Sequence, residues 1–391
     1  MKVLLIHNSY TQYGGEDAVF AAEQALLRSR GVQTKIYLVS NEVISSTIKK
    51  LITAFGAIFS FGQYFAVRKM LRNYRPDVVH VHNFFPLISP AVFFACKHES
   101  APVVLTLHNY RIVCPTALLM HKGVATERSL EEGPWWALKF RIYRNSFFGT
   151  FVVCLMIDIH KRIGTWRHCV DKFIVLSNFA KSRFSKAGLP SIRLSIKSNF
   201  VDFEKSAHRE RSGFLFVGRL SEEKGIATLL KSVQLLTQKA ENPVISIGGG
   251  GPLLSDVLSL PEVCYLGTLD AAQVNEQMLQ SLALLLPSVW YEGFPMVLVE
   301  AYANGLPVIG SRIGALAELI DDGVTGLLFE PGNAEDLAAK VLWAQKNPER
   351  MVQMGLSARK RYEERYTPQR NFEQLMKIYA EAIDSHRAHD A

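Results

Sequence analysis

Two carboxylates, Glu292 and Glu300, stand with seven residues between them in SVWYEGFPMVLVEAYANGLPVIGSR, residues 288–312, in otherwise largely apolar company. Three arrangements fit such a pair. They are the acid and base of a glycosidase, a turn-forming Glu followed by an exposed helical one, or two separate handles on a ligand. Upstream, FVGRLSEEKG sets Arg219 at a strand end and Lys224 five residues on, at a helix entry. Two cations beside free helical N–H groups make an anion site, because side-chain charge and helix dipole act in one direction. The competing reading is a solvated turn in which Glu222 or Glu223 pairs with Lys224. IGGGGP, residues 247–252, adds a turn at Gly249 and Gly250 where a phosphate or nucleoside can approach main chain closely. His80 and His82 in HVHN tempt as metal ligands, but no third ligand stands at usable spacing. A strand puts both on one face of a sheet, so the pair reads as cleft-lining or structural. His108, ending the strand VVLTL, is of a kind more often structural when met alone.

These side chains need elements to hold them. Short buried strands alternate with helical patterns: KVLLIH, TKIYLVS, DVVHVHN, PVVLTLHN and KFIVLS read as strands, and AVFAAEQALLRSRG is an amphipathic helix ended by Gly31. This predicts a parallel sheet wound by helices, with functional residues in loops at the strands' carboxyl ends. IKSNFVDFEKSAHRERSG, residues 196–213, is polar and non-periodic and reads as a linker. The pattern then restarts with FLFVGR, PVISIGG, VCYLGT, ALLLPS, LPVIGS and TGLLFE. The expected architecture is α/β, two Rossmann-like doubly wound domains over 1–200 and 210–365, with a cleft between them and the last helix, 368–391, packing back on the first. Pro295 belongs in the first turn of the helix PMVLVEAYANG. Glu292 then lies in the loop and Glu300 about a turn and a half inside the helix, differing in direction and depth. That favours two contacts along an extended ligand.

The bulk properties narrow the partners. A chain of 391 residues, 48% hydrophobic and 20% charged, is globular and long enough for two domains. Its net charge of +8 divides into about +15 for residues 1–200 and about −7 beyond them. The first half therefore wants an anionic partner. Nucleic acid is excluded as a reading, since no zinc spacing, aromatic RNA-binding signature or base-reading basic helix is found. An anionic membrane surface or a phosphate-bearing acceptor fits instead. FFGTFVVCLMI, residues 147–157, is too short to span a bilayer and is flanked by Arg141, Arg144, Lys161, Arg162 and Arg167. It reads as a core helix with basic ends, with an interfacial membrane helix as the rival. Residues 48–72 repeat the pattern, apolar nearly all round with basic ends. Five cysteines at unrelated spacings suggest reduced structural thiols in a cytosol, and MKVLLIHNSY is too short for a signal-peptide core.

The segments together resemble a family. EGFPMVLVE matches the signature Glu, seven residues, Glu of the retaining GT-B glycosyltransferases called family 4. VGRLSEEKG, GGGGP and PVIGSRIGALAELIDDGVTGLLFEPGN resemble it in the same order and spacing, and YGGED and LTLHNYRIVCP agree more loosely in the first half. The resemblance implies that Arg219 and Lys224 bind the donor diphosphate and neutralise the leaving nucleoside diphosphate. Glu300 would accept from the ribose hydroxyls. Glu292 would contact hydroxyls of the donor sugar, with Gly249, Gly250 and the backbone of Gly293, Phe294, Met296 and Val297 also on the donor. Gly14 and Gly15 would form a loop over diphosphate and acceptor, where a side chain would block approach. His108 would be the catalytic-site His. The chain departs from the commonest family form in having Pro295 for Gly, which removes an N–H.

The implied function is retaining transfer of a sugar from a nucleotide-sugar to an acceptor hydroxyl. Charge and apolar segments suggest a lipid-linked or membrane-proximal glycan of a bacterial surface polysaccharide (O-antigen, lipopolysaccharide or capsule), with the enzyme peripheral on the cytoplasmic membrane face. Asp-x-Asp is absent, and Arg219 and Lys224 can replace a divalent cation, so no metal or cofactor is expected. A GT-B sugar-nucleotide epimerase and a non-catalytic nucleotide-sugar-binding protein are the alternatives.

Overall fold

The computed structural model describes residues 1–9, 14–40, 53–203 and 210–390. Residues 10–13 of the first loop, 48–52 of the second apolar segment and 204–209 of the linker lie outside the described residues. The chain divides into two compact units, one of Met1–Leu119, Thr126–Asn199 and Asn371–Ala391, the other of Met120–Ala125 and Phe200–Arg370.

The first unit is built on β1 (Lys2–Ser9), β2 (Gln33–Ser40), β3 (Val78–Asn83), β4 (Val103–Thr106), β7 (Lys172–Val175) and β8 (Leu194–Ile196). They form one sheet of order β2-β1-β3-β4-β7-β8, parallel throughout. Val3 to Ile6 are fully buried, as a strand covered on both faces requires. The order reverses between β1 and β3, which makes the ends of those strands the crevice of this sheet. β8 is a strand the sequence pattern did not reveal: three residues long, it overlaps the start of the polar stretch taken as linker. Between β4 and β7 a short antiparallel hairpin, β5 (Met120–His121) with β6 (Val124–Ala125), groups with the second unit, so the division is not a single cut near residue 200.

The second unit contains β9 (Phe214–Val217), β10 (Ile245–Gly248), β11 (Val263–Tyr265), β12 (Ala283–Leu286), β13 (Val308–Ser311) and β14 (Gly326–Phe329). Their order, β11-β10-β9-β12-β13-β14, is parallel throughout and reverses between β9 and β12. Each coincides with one of the six strands read from sequence. Phe214, Phe216, Ile247, Leu285 and Ile309 of the sheet pack with Leu229 and Val233 of the helix Ile226–Gln238 in one core.

The apolar run at 147–157 opens the helix Phe147–Arg162, capped by Ser146, whose hydroxyl accepts from the Gly149 N–H at 3.0 Å. Its Val152, Val153, Cys154, Met156 and Ile157 are buried while Phe147 and Phe148 stay exposed. It is therefore a core helix with an exposed aromatic first turn. The described part of the second segment holds the helix Phe61–Tyr74, of which only Val67 and Leu71 are buried. Among the described residues no helix is long and apolar enough to cross a membrane. All five cysteines are free, and only Cys264 is exposed.

Candidate active site

In the second unit the two loops beside the sheet's reversal carry the charges. After β9 the chain passes Gly218 and Arg219 and enters the short 3-10 turn Glu222–Lys224. It leaves through Gly225 at φ 71°, where an added Cβ would collide with the Pro287 carbonyl oxygen. Only a glycine there lets the β9 loop lie against the end of β12. The consequence is a pairing between loops. Lys224 Nζ donates to Glu292 Oε1 at 2.6 Å, and Ser288 Oγ donates to the same oxygen at 2.7 Å. The ammonium also lies 5.5 Å from the centre of the Trp290 ring. The competing reading, in which Glu222 or Glu223 partners Lys224, is not what the structure shows: Glu223 accepts instead from the Ser221 hydroxyl at 2.6 Å. Glu292 is buried, and Arg219 is exposed with no side-chain partner among the described residues.

The helix carrying Glu300 spans Met296–Ala303. Pro295 is its N-cap, at φ −73° and ψ 114°, and so stands just before the first turn, not within it. Its carbonyl accepts from the Leu298 N–H at 3.1 Å, leaving Met296 and Val297 with N–H groups that no intrahelical carbonyl can reach. Phe294 offers only main chain to a ligand, because its ring is buried and meets Tyr366 edge-on at 5.8 Å. Glu300 is half-buried and lines a cavity of about 500 Å³ with Asp202, Asn275, Met278 and Asn304. Its carboxylate has no hydrogen-bond partner among the described residues, and burial raises its pKa above the ordinary carboxylate value. Glu292 and Glu300 are therefore in different settings, one locked in an ion pair and the other open.

The glycines differ in what demands them. Gly249, at φ 132°, faces the Gly218 carbonyl so closely that a Cβ has no room, and Gly218 and Leu220 donate to the Gly248 and Gly250 carbonyls. That position is required by two loops zipped together, with or without a ligand. Gly250 and Gly15 are different: a Cβ on Gly250 makes only ordinary contact with Thr268, and one on Gly15 meets nothing. The steric need for glycine at position 15 does not arise within the first unit.

In the first unit Gly14 caps the helix Gly15–Ser29, and its N–H donates to Asp17 Oδ2 at 3.0 Å. Asp17 Oδ1 lies 2.9 Å from His7 Nε2. His108, two residues beyond β4, stacks on His82 with ring centres 5.4 Å apart, its Nε2 3.2 Å from His82 Nδ1. His82 Nε2 is 3.4 Å from Glu23 Oε2, and Glu23 Oε1 is bonded by the buried Lys197 ammonium. Burial pushes the His108 imidazole down to about 3, so it is neutral at neutral pH. His80 and His82 lie on one face of β3, ring centres 4.2 Å apart.

Glu23 is the group that sequence spacing missed. It stands on a helix 57 positions before His80, yet its carboxylate and the His80 and His82 nitrogens lie within 4.8 Å of one another. The donor set still does not suit a metal. His80 spends Nδ1 on the Tyr379 hydroxyl at 2.8 Å and Nε2 on the Thr106 hydroxyl at 2.7 Å, and Lys197 already supplies the cation at Glu23.

A family model described as "Glycosyl transferases group 1" matches residues 199–361, and one described as "Glycosyltransferase Family 4" matches residues 19–205. An uncharacterized 41.2 kDa protein in the cps region of Klebsiella pneumoniae is 25% identical over 277 residues, 69% of this chain and 70% of that protein. The amylovoran biosynthesis glycosyltransferase AmsK of Erwinia amylovora is 26% identical over 226 residues, 53% of this chain and 56% of its own length. This chain therefore spans little more than half of AmsK. Among solved structures, Anabaena HepE in complex with UDP-glucose superposes with a TM-score of 0.67 at 17% identity, over 97% of this chain and 100% of that one. That likeness shows the GT-B fold.

Proposed function

The chain belongs to the glycosyltransferases of the group 1 and family 4 type, and from that premise we propose that it moves a sugar from a nucleotide-sugar onto a glycan hydroxyl with retention at the anomeric carbon. The observation that carries the reading is the grouping of Arg219, Lys224 and Glu292 on the two loops at the reversal of the second sheet, with the unpartnered Glu300 nearby in sequence on the next helix. Ligands of open α/β sheets bind at such a reversal. Arg219 and Lys224 would hold the diphosphate and take up charge as the nucleoside diphosphate leaves. The N–H groups of Met296 and Val297 would add to that field, while Pro295 contributes none. Glu300 would accept from two ribose hydroxyls and Glu292 from the donor sugar.

The acceptor would bind the first unit, with Gly14, Gly15 and His108 near the transferred sugar. Similarity to proteins of a cps region and of amylovoran biosynthesis supports a surface polysaccharide as the product. The charge comes from Arg219 and Lys224, so transfer would need no metal. A thermal-shift panel of nucleotide-sugars tests the donor assignment. The matching donor, at about 100 times its Kd, should stabilise the protein by about 2.7 kcal/mol, equally with and without EDTA. A panel with no response, or a response abolished by EDTA and restored by manganese, would overturn the donor or the metal reading respectively.

The acceptor would be presented at an anionic membrane. Phe61, Phe65, Phe147 and Phe148 are exposed, and Phe148 meets the exposed Phe55 edge-on at 5.8 Å. Lys69 and Arg72 are exposed cations on the helix Phe61–Tyr74, and Lys139, Arg141 and Arg144 are exposed in the segment just before the helix Phe147–Arg162. Aromatic rings with a basic surround suit the headgroup region. Sedimentation with vesicles containing phosphatidylglycerol should show binding that weakens with salt. Replacing Phe61, Phe65, Phe147 and Phe148 together by Ser should reduce it about tenfold or more. Unchanged binding would remove this surface from the reading.

A further inference from the structure

We infer that Glu23 and His82 are positioning residues that fix the tautomer of His108, so that His108 presents its Nδ1 lone pair to a carbohydrate hydroxyl. The inference rests on the reading above for what His108 meets, and on geometry for the rest. Three groups stand in a row: Glu23 Oε2, 3.4 Å from His82 Nε2, and His82 Nδ1, 3.2 Å from His108 Nε2. Each contact needs one proton, and a neutral imidazole has one N–H.

Glu23 decides how the protons fall. Its burial pushes the carboxyl pKa up, but the Lys197 charge and bond outweigh that and hold it below the ordinary value. It is therefore an ionised carboxylate that can only accept. Glu23 Oε2 and His82 Nε2 are both buried and neither makes a hydrogen bond, so the 3.4 Å between them is a charge contact and each is the nearest polar group the other can answer. If His82 carried its proton on Nδ1, a lone pair would face the carboxylate, which is repulsive. With the proton on Nε2, His82 turns its N–H to the Glu23 charge, and its Nδ1 becomes an acceptor for the His108 Nε2–H. His108 then has its lone pair on Nδ1. Among the described residues that nitrogen has no partner, and the ring is only partly buried.

The row is anchored from behind. Lys197 Nζ binds Glu23 Oε1 and lies 3.4 Å from Asn371 Oδ1, while Asn371 Nδ2 donates to the Ser198 carbonyl at 2.9 Å. This asymmetry of Glu23 makes a sharp test possible. In Glu23→Gln the amide oxygen stays on Lys197, which can only donate, so the NH2 group turns toward His82 Nε2. His82 must then carry its proton on Nδ1 and donate to His108 Nε2, and the His108 proton moves to Nδ1. One isosteric change reverses both rings.

The test is a two-bond ¹H–¹⁵N correlation of the full chain with ¹⁵N-labelled histidine at pH 7.5, the His108 signals being those lost in His108→Gln. In the wild type His108 should show an unprotonated Nδ1 and a protonated Nε2. In Glu23→Gln the assignment should reverse, and kcat should fall by about 10² to 10⁴-fold, the span of general acid–base contributions. The donor KM should change little. A protonated Nδ1 in wild-type His108 overturns the proposal, and so does a folded Glu23→Gln protein whose His108 tautomer is unchanged. The wild-type measurement decides even if the variant does not fold. A protein that shows the expected tautomers but transfers no sugar would sink the functional reading and leave the proton arrangement standing.

Discussion

Replacing Lys224 by Met should lower kcat about 10² to 10³-fold, the usual loss when one preorganised donor to a developing negative charge is removed. Met keeps most of the stem over the Trp290 ring and deletes only the ammonium. The expected loss is larger than the accompanying rise in donor KM, because the diphosphate gains charge as it departs and the cation matters most then. The variant should also melt lower than the wild type. Glu292 is buried, and without Lys224 its carboxylate retains, among the described residues, only the Ser288 hydroxyl at 2.7 Å. Combining Lys224→Met with Glu292→Gln should recover part of that stability while leaving transfer low, since two residues in direct contact do not act additively. Steady-state kinetics and melting curves on the four proteins check this. A Lys224→Met enzyme within tenfold of wild type would remove Lys224 from the donor phosphate.

Glu300→Gln should separate binding from stability in opposite directions. Donor Kd should rise about 10- to 100-fold, as befits the loss of charge-assisted hydrogen bonds to ribose. The free protein, by contrast, should melt higher than wild type at pH 8. Burial raises the Glu300 pKa, so the folded state holds that proton more tightly than the unfolded state. A raised carboxyl pKa weakens folding above it, and the penalty fades as pH falls toward the ordinary value of 4.5. The stability gain of the variant should accordingly shrink on acidification. Titration calorimetry with the donor and melting curves from pH 8 to pH 5 check both halves. A variant with wild-type donor affinity would show that Glu300 does not meet the ribose, whatever its stability.

The sequence carried the second unit almost whole. Its six strands are short apolar runs bounded by turns, and its charged loops adjoin them, so strand, loop and helix entry are all local in the chain. That is why Arg219, Lys224, Glu292 and Glu300 could be picked out and Glu292 separated from Glu300 by one proline. In the first unit the strands were equally legible apart from β8, which is three residues long and ends in a polar stretch.

What the sequence alone could not supply was partnership. Lys224 has two glutamates beside it in the chain and binds neither, because Gly225 lets its loop lie on the end of β12, where Glu292 waits 68 residues away. Glu23 looks like any polar position on an amphipathic helix. It becomes the fixed charge behind His82 and His108 only because parallel strands are joined by long crossovers, which bring side chains from separate βα units to one sheet edge. Local pattern determines which residues are buried and which elements form. Which buried proton faces which lone pair depends on contacts spanning as many as 299 residues, and those exist only in the folded chain.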